Sequence, residues 1–257
     1  MHGAETSIEL QMSLLLFVSL AGYILAAWIN QSAVVGAILL GIAVGPSWLG
    51  WINYTTFVSN VAHLGAIILL FVVGLEFRLK SIAQWRNLWI AIGGVLIPWF
   101  AGWSLALAFG FKDNAAIFIG TALTATSIAI TANVLQELGQ LKTEVASVII
   151  GAAVIDDVLS LLVLSLSEQM GAGNLSVSDT LLLCAKAVTF IIAGVVAGKL
   201  LFIKALIKVE KTRLVEKYPE FIFVLVMMVA FLYALLASLA GLSAIVGAFL
   251  AGVILEG

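Results

Sequence analysis

Nine stretches of the sequence, 8–27, 32–47, 57–76, 87–110, 114–133, 145–166, 179–203, 219–239 and 242–256, are dominated by apolar residues and carry few charges. A helix needs about 20 such residues to cross the hydrocarbon of a bilayer, where every backbone amide and carbonyl must be satisfied internally. The runs are continuous rather than alternating over about ten residues, so a membrane barrel is excluded as the main architecture. The expected fold is an all-α polytopic membrane protein of about nine transmembrane helices. Composition agrees, since 63% of the chain is hydrophobic and 10% charged, against roughly 45–50% and about 25% in soluble domains. The opening residues MHGAETSIEL hold no Lys or Arg, so the first run is expected to be a retained span rather than a cleaved signal.

A net charge of -2 leaves no basic field for nucleic acid. The single cysteine, Cys184, and two distant histidines, His2 and His63, exclude a disulfide framework and a resident metal cluster. No organic cofactor is implied and no enzyme is expected. Carboxylates, hydroxyls and backbone must carry whatever the chain does.

Lys and Arg accumulate in cytoplasmic loops, and nine spans sort them sharply. Arg78, Lys80, Arg86, Lys142, Lys199, Lys204, Lys208, Lys211, Arg213 and Lys217 fall on one side and only Lys112 on the other, with Lys186 inside the seventh span. The N-terminus is therefore expected outside, and the loops 77–86 and 204–218 in the cytoplasm. Trp28, Trp48, Trp51, Trp85 and Trp89 fall at expected span ends, where amphipathic rings favour the interface. Lys186 is read as snorkelling outward, Glu76 as pairing with Arg78 or Lys80, and His63 as a hydrogen-bonded packing residue rather than a pH sensor.

SAVVGAILLGI at Ser32–Ile42 and SAIVGAFLAGV at Ser243–Val253 are identical at seven of eleven positions, offset by 211 residues, and Leu25 and Ala26 pair with Leu236 and Ala237 at the same offset. The two segments are the second and ninth spans, an odd seven apart in order, so they are expected to cross the membrane in opposite directions, as in an inverted-topology repeat. On that reading the second copy is incomplete, and roughly another 125 residues would finish it.

The sixth span reads EVASVIIGAAVIDDVLSLLVLSL, with Asp156 and Asp157 at its middle. A charge at the bilayer centre costs at least about 2.5 kcal/mol and is normally kept for a pathway, a relay or a buried pair. Neighbours on a helix point about 100° apart, so the two carboxylates are expected to have different roles, one facing a water-filled cavity and one facing protein. A carboxylate that accepts either a proton or a metal cation couples the two by competition. A dehydrated cation needs further oxygens, and the fifth span offers Thr121, Thr124, Thr126, Ser127, Thr131 and Asn133. Two arrangements fit that run: an interrupted helix presenting carbonyls, or a continuous one whose hydroxyls bond back to their own turn.

MHGAE at the start, VGLEFRLK at Val73–Lys80, GTALTATSIAITANVLQELG at Gly120–Gly139 and above all GAAVIDD at Gly151–Asp157 resemble the bacterial sodium/proton antiporters of the NhaA/NapA fold, within the monovalent cation:proton antiporter superfamily, and most of all the NapA type. The resemblance implies that Asp157 binds the transported Na+ (or Li+) and carries the proton. It implies that Asp156 pairs with a lysine on a late helix beyond this chain, with Thr126, Ser127 and Thr124 supporting the site from an unwound stretch. Asn133 stands where an arginine is expected from that likeness. It further implies alternating-access exchange, electrogenic in the complete protein, serving pH and sodium homeostasis, a homodimer, and the bacterial inner membrane. K+/H+ exchange is the alternative within the superfamily; a cation channel and an intramembrane aspartyl protease are remote ones. The expected division is 1–56 as dimerisation scaffold, 57–84 as third span, 85–170 as ion-transport core, 171–218 as linker span with basic loop, and 219–257 as the start of the second repeat.

Overall fold

The computed structural model describes residues 7–77, 84–171, 177–210, 212, 215, 217–218 and 220–256. Among them all regular structure is helical: α1 (Ile8–Trp28), α2 (Ala33–Val44), α3 (Thr56–Gly74), α4 (Trp85–Ala108), α5 (Asp113–Ala122), α6 (Ile128–Glu137), α7 (Glu144–Gly171), α8 (Val177–Ala197), a π-helical turn (Gly198–Phe202), α9 (Ile203–Glu210), α10 (Glu220–Leu239) and α11 (Ala244–Glu256). Six helical segments are long and apolar enough to span a bilayer, and α2 and α11 are shorter apolar helices. This is an all-α polytopic membrane protein. Eight expected spans are met by helical segments, and the fifth is split into α5 and α6. The chain forms two compact units, Met1–Ala66 with Ile130–Gln140, and Ile67–Ala129 with Leu141–Gly257.

In the first unit α1 and α2 make a hairpin. α1 ends where Asn30 takes a positive φ of 51°, its amide donating to the Ala27 carbonyl at 3.2 Å and the Gln31 amide to that of Ala26 at 2.9 Å. These two bonds with a left-handed residue define the Schellman ending, which satisfies carbonyls the helix leaves open. α2 is capped by Ser32, whose Oγ accepts from the Val34 amide at 3.2 Å. Glu137, at the end of α6, accepts from the Ser32 hydroxyl and, at 3.1 Å, from the Ala33 amide, placing an anion at the positive end of α2.

The second unit repeats this hairpin in α10 and α11, contact by contact at the 211-residue offset. Gly241 takes a φ of 83° where Asn30 stood, its amide bonds Ser238 at 3.0 Å, and the Leu242 amide bonds Ala237 at 2.9 Å. A Cβ on Gly36 would meet the Gly22 carbonyl oxygen and the Ala26 methyl, and one on Gly247 would meet the Tyr233 carbonyl oxygen and the Ala237 methyl. The repeat is therefore one of packing geometry as well as of sequence. α3 touches α11 backbone to backbone, since a Cβ on Gly74 would lie 2.4 Å from the Phe249 carbonyl oxygen and one on Gly252 would lie 2.2 Å from that of Phe71.

α8 passes into α9 through the π-helical turn. The Gly194 carbonyl just before it accepts the buried Tyr233 hydroxyl at 2.7 Å. Tyr233→Phe should strand that carbonyl and cost about 1–3 kcal/mol, read as a lower midpoint in a detergent thermal melt of the full-length protein.

Trp28, Trp48, Trp51, Trp85 and Trp89 are all exposed at or beside helix ends. His63 is exposed on α3 rather than packed. The partners expected for Glu76, Arg78 and Lys80, lie outside the described residues; among the described residues Glu76 pairs with Lys142 at 3.0 Å. That pair and Arg86–Glu144, at 3.1 Å, line a cavity of about 660 Å³ with Ser147 and Glu256.

Candidate functional site

α5 ends at Ala122 and α6 starts at Ile128, with neither Gly nor Pro between them. A hydroxyl back-bond sits at the interruption. The Thr124 hydroxyl donates to the Thr121 carbonyl at 2.8 Å, taking an acceptor that a continuing helix would offer to the Ala125 amide, a competition open to Ser and Thr side chains. Of the two arrangements the sequence allowed, the described residues adopt the interrupted one.

The break is fastened to α7 by three polar rungs. Trp99 Nε1 on α4 donates to Thr121 Oγ1 at 3.2 Å, Thr121 Oγ1 lies 2.6 Å from Ser167 Oγ, and Ser167 donates to the Val163 carbonyl at 2.8 Å. Thr121 Oγ1 also lies 2.9 Å from the Ile117 carbonyl, so two hydroxyl protons serve three contacts and either hydroxyl donates across the Thr121–Ser167 pair. The second rung joins Ser160 Oγ to the Thr124 carbonyl at 3.4 Å. In the third, the Thr126 side chain hydrogen-bonds the Asp156 carboxylate. Positions 156, 160 and 167 fall within about 40° of one another on a helix of 3.6 residues per turn, so one stripe of α7 serves all three.

Asp156 is buried, at 7% exposure, and Asp157, one residue round the helix, is half-buried. Among the described residues no side chain hydrogen-bonds Asp157, and no Lys or Arg pairs with Asp156. Gly94 of α4 faces Asp156, for a Cβ there would lie 3.8 Å from its Oδ1. Pro98, inside α4, removes the amide that would bond the Gly94 carbonyl, so α4 is also locally released beside the carboxylate. Thr124 is buried at 1%, whereas Thr126 and Ser127 are exposed in the break. Thr131 and Asn133 lie on α6 and are half-buried.

The structure thus brings Asp156, Thr126, Thr124 and Ser160 together and sets Asp157 on the adjoining face. Sequence reasoning missed Ser160, Ser167 and Trp99. The signal for the serines was present, since they follow Asp156 at four and eleven residues, a helical period.

Fold and site define an integral membrane protein of helices organised around an interrupted helix held against an intramembrane carboxylate pair, the arrangement by which irregular backbone is tolerated at membrane depth. A family pattern described as the transmembrane sodium/hydrogen exchanger matches residues 14–257. The chain belongs to that family. It is similar to the Na(+)/H(+)-K(+) antiporter GerN of Bacillus cereus, 32% identical over 93% of this chain and 61% of that protein. It is also similar to an Enterococcus hirae Na(+)/H(+) antiporter, 34% identical over 86% of this chain and 57% of that one. The high-affinity Na(+)/H(+) antiporter NhaS3 of Synechocystis is 38% identical over 77% of this chain and 43% of its own length. The chain spans roughly three fifths of the first two of these relatives.

Proposed function

We propose that this chain forms the larger part of a secondary transporter of the NhaA/NapA fold that exchanges Na+ (or Li+) for H+ across a bacterial inner membrane. The observation that carries the reading is the meeting of the interrupted helix with the centre of α7, where Ser160 Oγ faces the Thr124 carbonyl at 3.4 Å and Thr126 lies beside Asp156. It sets backbone carbonyls, hydroxyls and carboxylates around one point in an apolar bundle, the combination that replaces a cation's hydration shell. Asp157, half-buried beside that point, binds the cation when ionised and the proton when not, so loading one ion expels the other. Alternating access then carries Asp157 between the two sides.

The further length of the relatives leaves room for helices that complete the second repeat and bring a cation to Asp156. The charge asymmetry of the loops supports an external N-terminus with 77–86 and 204–218 cytoplasmic. We assign 1–56 to a dimerising scaffold, 57–84 to a third span, 85–170 to the ion-carrying core, 171–218 to the linker span and its basic loop, and 219–257 to the start of the second repeat.

K+/H+ exchange is a second reading, favoured by the name of the Bacillus cereus relative, which includes K(+). Full-length protein in proteoliposomes with an imposed pH gradient and a trapped pH dye decides between them. Dissipation of the gradient on adding NaCl or LiCl but not KCl supports the Na+ reading; equal responses to KCl support the second; no cation response overturns both.

A further inference from the structure

Hydroxyls in apolar helices generally bond back to the carbonyl three or four residues earlier. Ser19 does so to Leu15 at 2.8 Å, Ser104 to Ala101 at 3.0 Å, Thr121 to Ile117 at 2.9 Å and Ser167 to Val163 at 2.8 Å. Ser160 departs from this habit. Its hydroxyl leaves its own helix and points across to the Thr124 carbonyl, 3.4 Å away. The same carbonyl lies 3.4 Å from Thr126 Oγ1. Both separations are long for an O–H···O bond, whose usual value is about 2.7–2.8 Å.

Those lengths have a simple meaning if the oxygens surround a point rather than bond each other. A hard cation of about the size of Ca²⁺, as Na+ is, holds oxygens at about 2.4 Å, and two ligands at right angles about it are then about 3.4 Å apart. Thr126 Oγ1 and Ser160 Oγ each stand at that spacing from the Thr124 carbonyl oxygen, and Asp156, four residues before Ser160 on the same stripe of α7, adds a carboxylate beside Thr126. Asp157, three residues before Ser160, flanks the group from the next face.

We propose that Ser160 is a ligand of the transported cation, its hydroxyl and the Thr124 carbonyl forming the neutral side of a coordination shell whose charged side is the Asp156–Asp157 pair. The inference rests on the antiporter reading and adds to it a residue that sets cation affinity. A neutral hydroxyl contributes to binding the metal cation while leaving the proton's own site on the carboxylate intact. Removing it should therefore weaken the cation step alone.

The test uses full-length protein in proteoliposomes and reads the Na+ concentration for half-maximal exchange together with maximal rate. Ser160→Ala should raise that concentration about tenfold, the worth of one lost polar contact, with the maximal rate within about twofold. Ser160→Thr should restore it. Ser160→Cys keeps the volume, offers a poor ligand to Na+ and should behave as Ala, which covers the case of a poorly folding alanine variant. Ser19→Ala, which removes a hydroxyl that bonds back to the Leu15 carbonyl on α1, should leave the half-maximal Na+ concentration unmoved. An unchanged value in both Ser160→Ala and Ser160→Cys, or equal shifts in the Ser160 and Ser19 variants, overturns the inference. Asp157→Asn in the same assay keeps the two levels apart: if it abolishes exchange while the Ser160 variants are normal, only the Ser160 ligand falls, and if it leaves exchange intact the antiporter reading falls with it.

Discussion

Asp157→Asn in the full-length protein is expected to reduce Na+-dependent proton flux to that of protein-free liposomes. The substitution preserves side-chain shape and replaces one oxygen by an amide nitrogen, so α7, with its packing through Ala146, Ile150 and Ala152, has no steric reason to change. The chemistry changes completely. An amide neither takes up a transported proton nor offers negative charge to a dehydrated cation, and a bilayer interior supplies no substitute within reach. Size-exclusion elution and helical circular dichroism should match the unsubstituted protein, separating loss of transport from loss of fold. Asp156→Asn is the informative contrast. Asp156 is buried beside Thr126, and on the proposed reading it flanks the cation without carrying the proton, so residual exchange with weakened cation affinity is the expected outcome. Full flux in Asp157→Asn would remove that residue from the ion path.

The second large effect is structural. Gly36→Val and Gly247→Val should each prevent recovery of folded protein from the membrane. A Cβ on Gly36 would lie 2.1 Å from the Gly22 carbonyl oxygen, and one on Gly247 would lie 2.3 Å from that of Tyr233. Both obstacles are backbone, so no rotamer change relieves them and the helices must separate, which places the cost above the roughly 1–3 kcal/mol of ordinary overpacking. In membranes close helix approach through small residues is itself a main source of association, so separation also forfeits the attraction. Gly41→Val is the control, since its Cβ would meet nothing within 4 Å. Normal yield of monodisperse protein from either of the first two variants would contradict the packing.

Much of this was readable in the chain because membrane spans obey strong, local rules. Apolar length located the helices, and two adjacent aspartates in the middle of one could hardly be structural. The 211-residue repeat also reappears as matched hydrogen bonds around Asn30 and Gly241. The interruption between Ala122 and Ile128 was legible only as one of two options, because no Gly or Pro marks it and the partners that α7 supplies to the freed backbone lie far off in sequence. Those partners come from residues some forty positions away, beyond the reach of pattern. Glu76 shows the same limit: its ion pair with Lys142 joins residues far apart in sequence.

The twin hairpins also pose a problem of choice during assembly. Since α2 and α11 present the same small-residue face, and α1 and α10 offer the same carbonyl-and-methyl notch to receive it, either second helix is a plausible mate for either first one. Connection length resolves the ambiguity. Four residues, 29–32, join α1 to α2, whereas α11 begins only at Ala244, and closing the longer loop costs about 3.5 kcal/mol more in chain entropy. Order of synthesis acts in the same direction, because α2 emerges long before its competitor exists. Cutting the chain between the hairpins would remove that covalent bias, and co-expressed fragments should then yield cross-mated dimers that the intact polypeptide avoids.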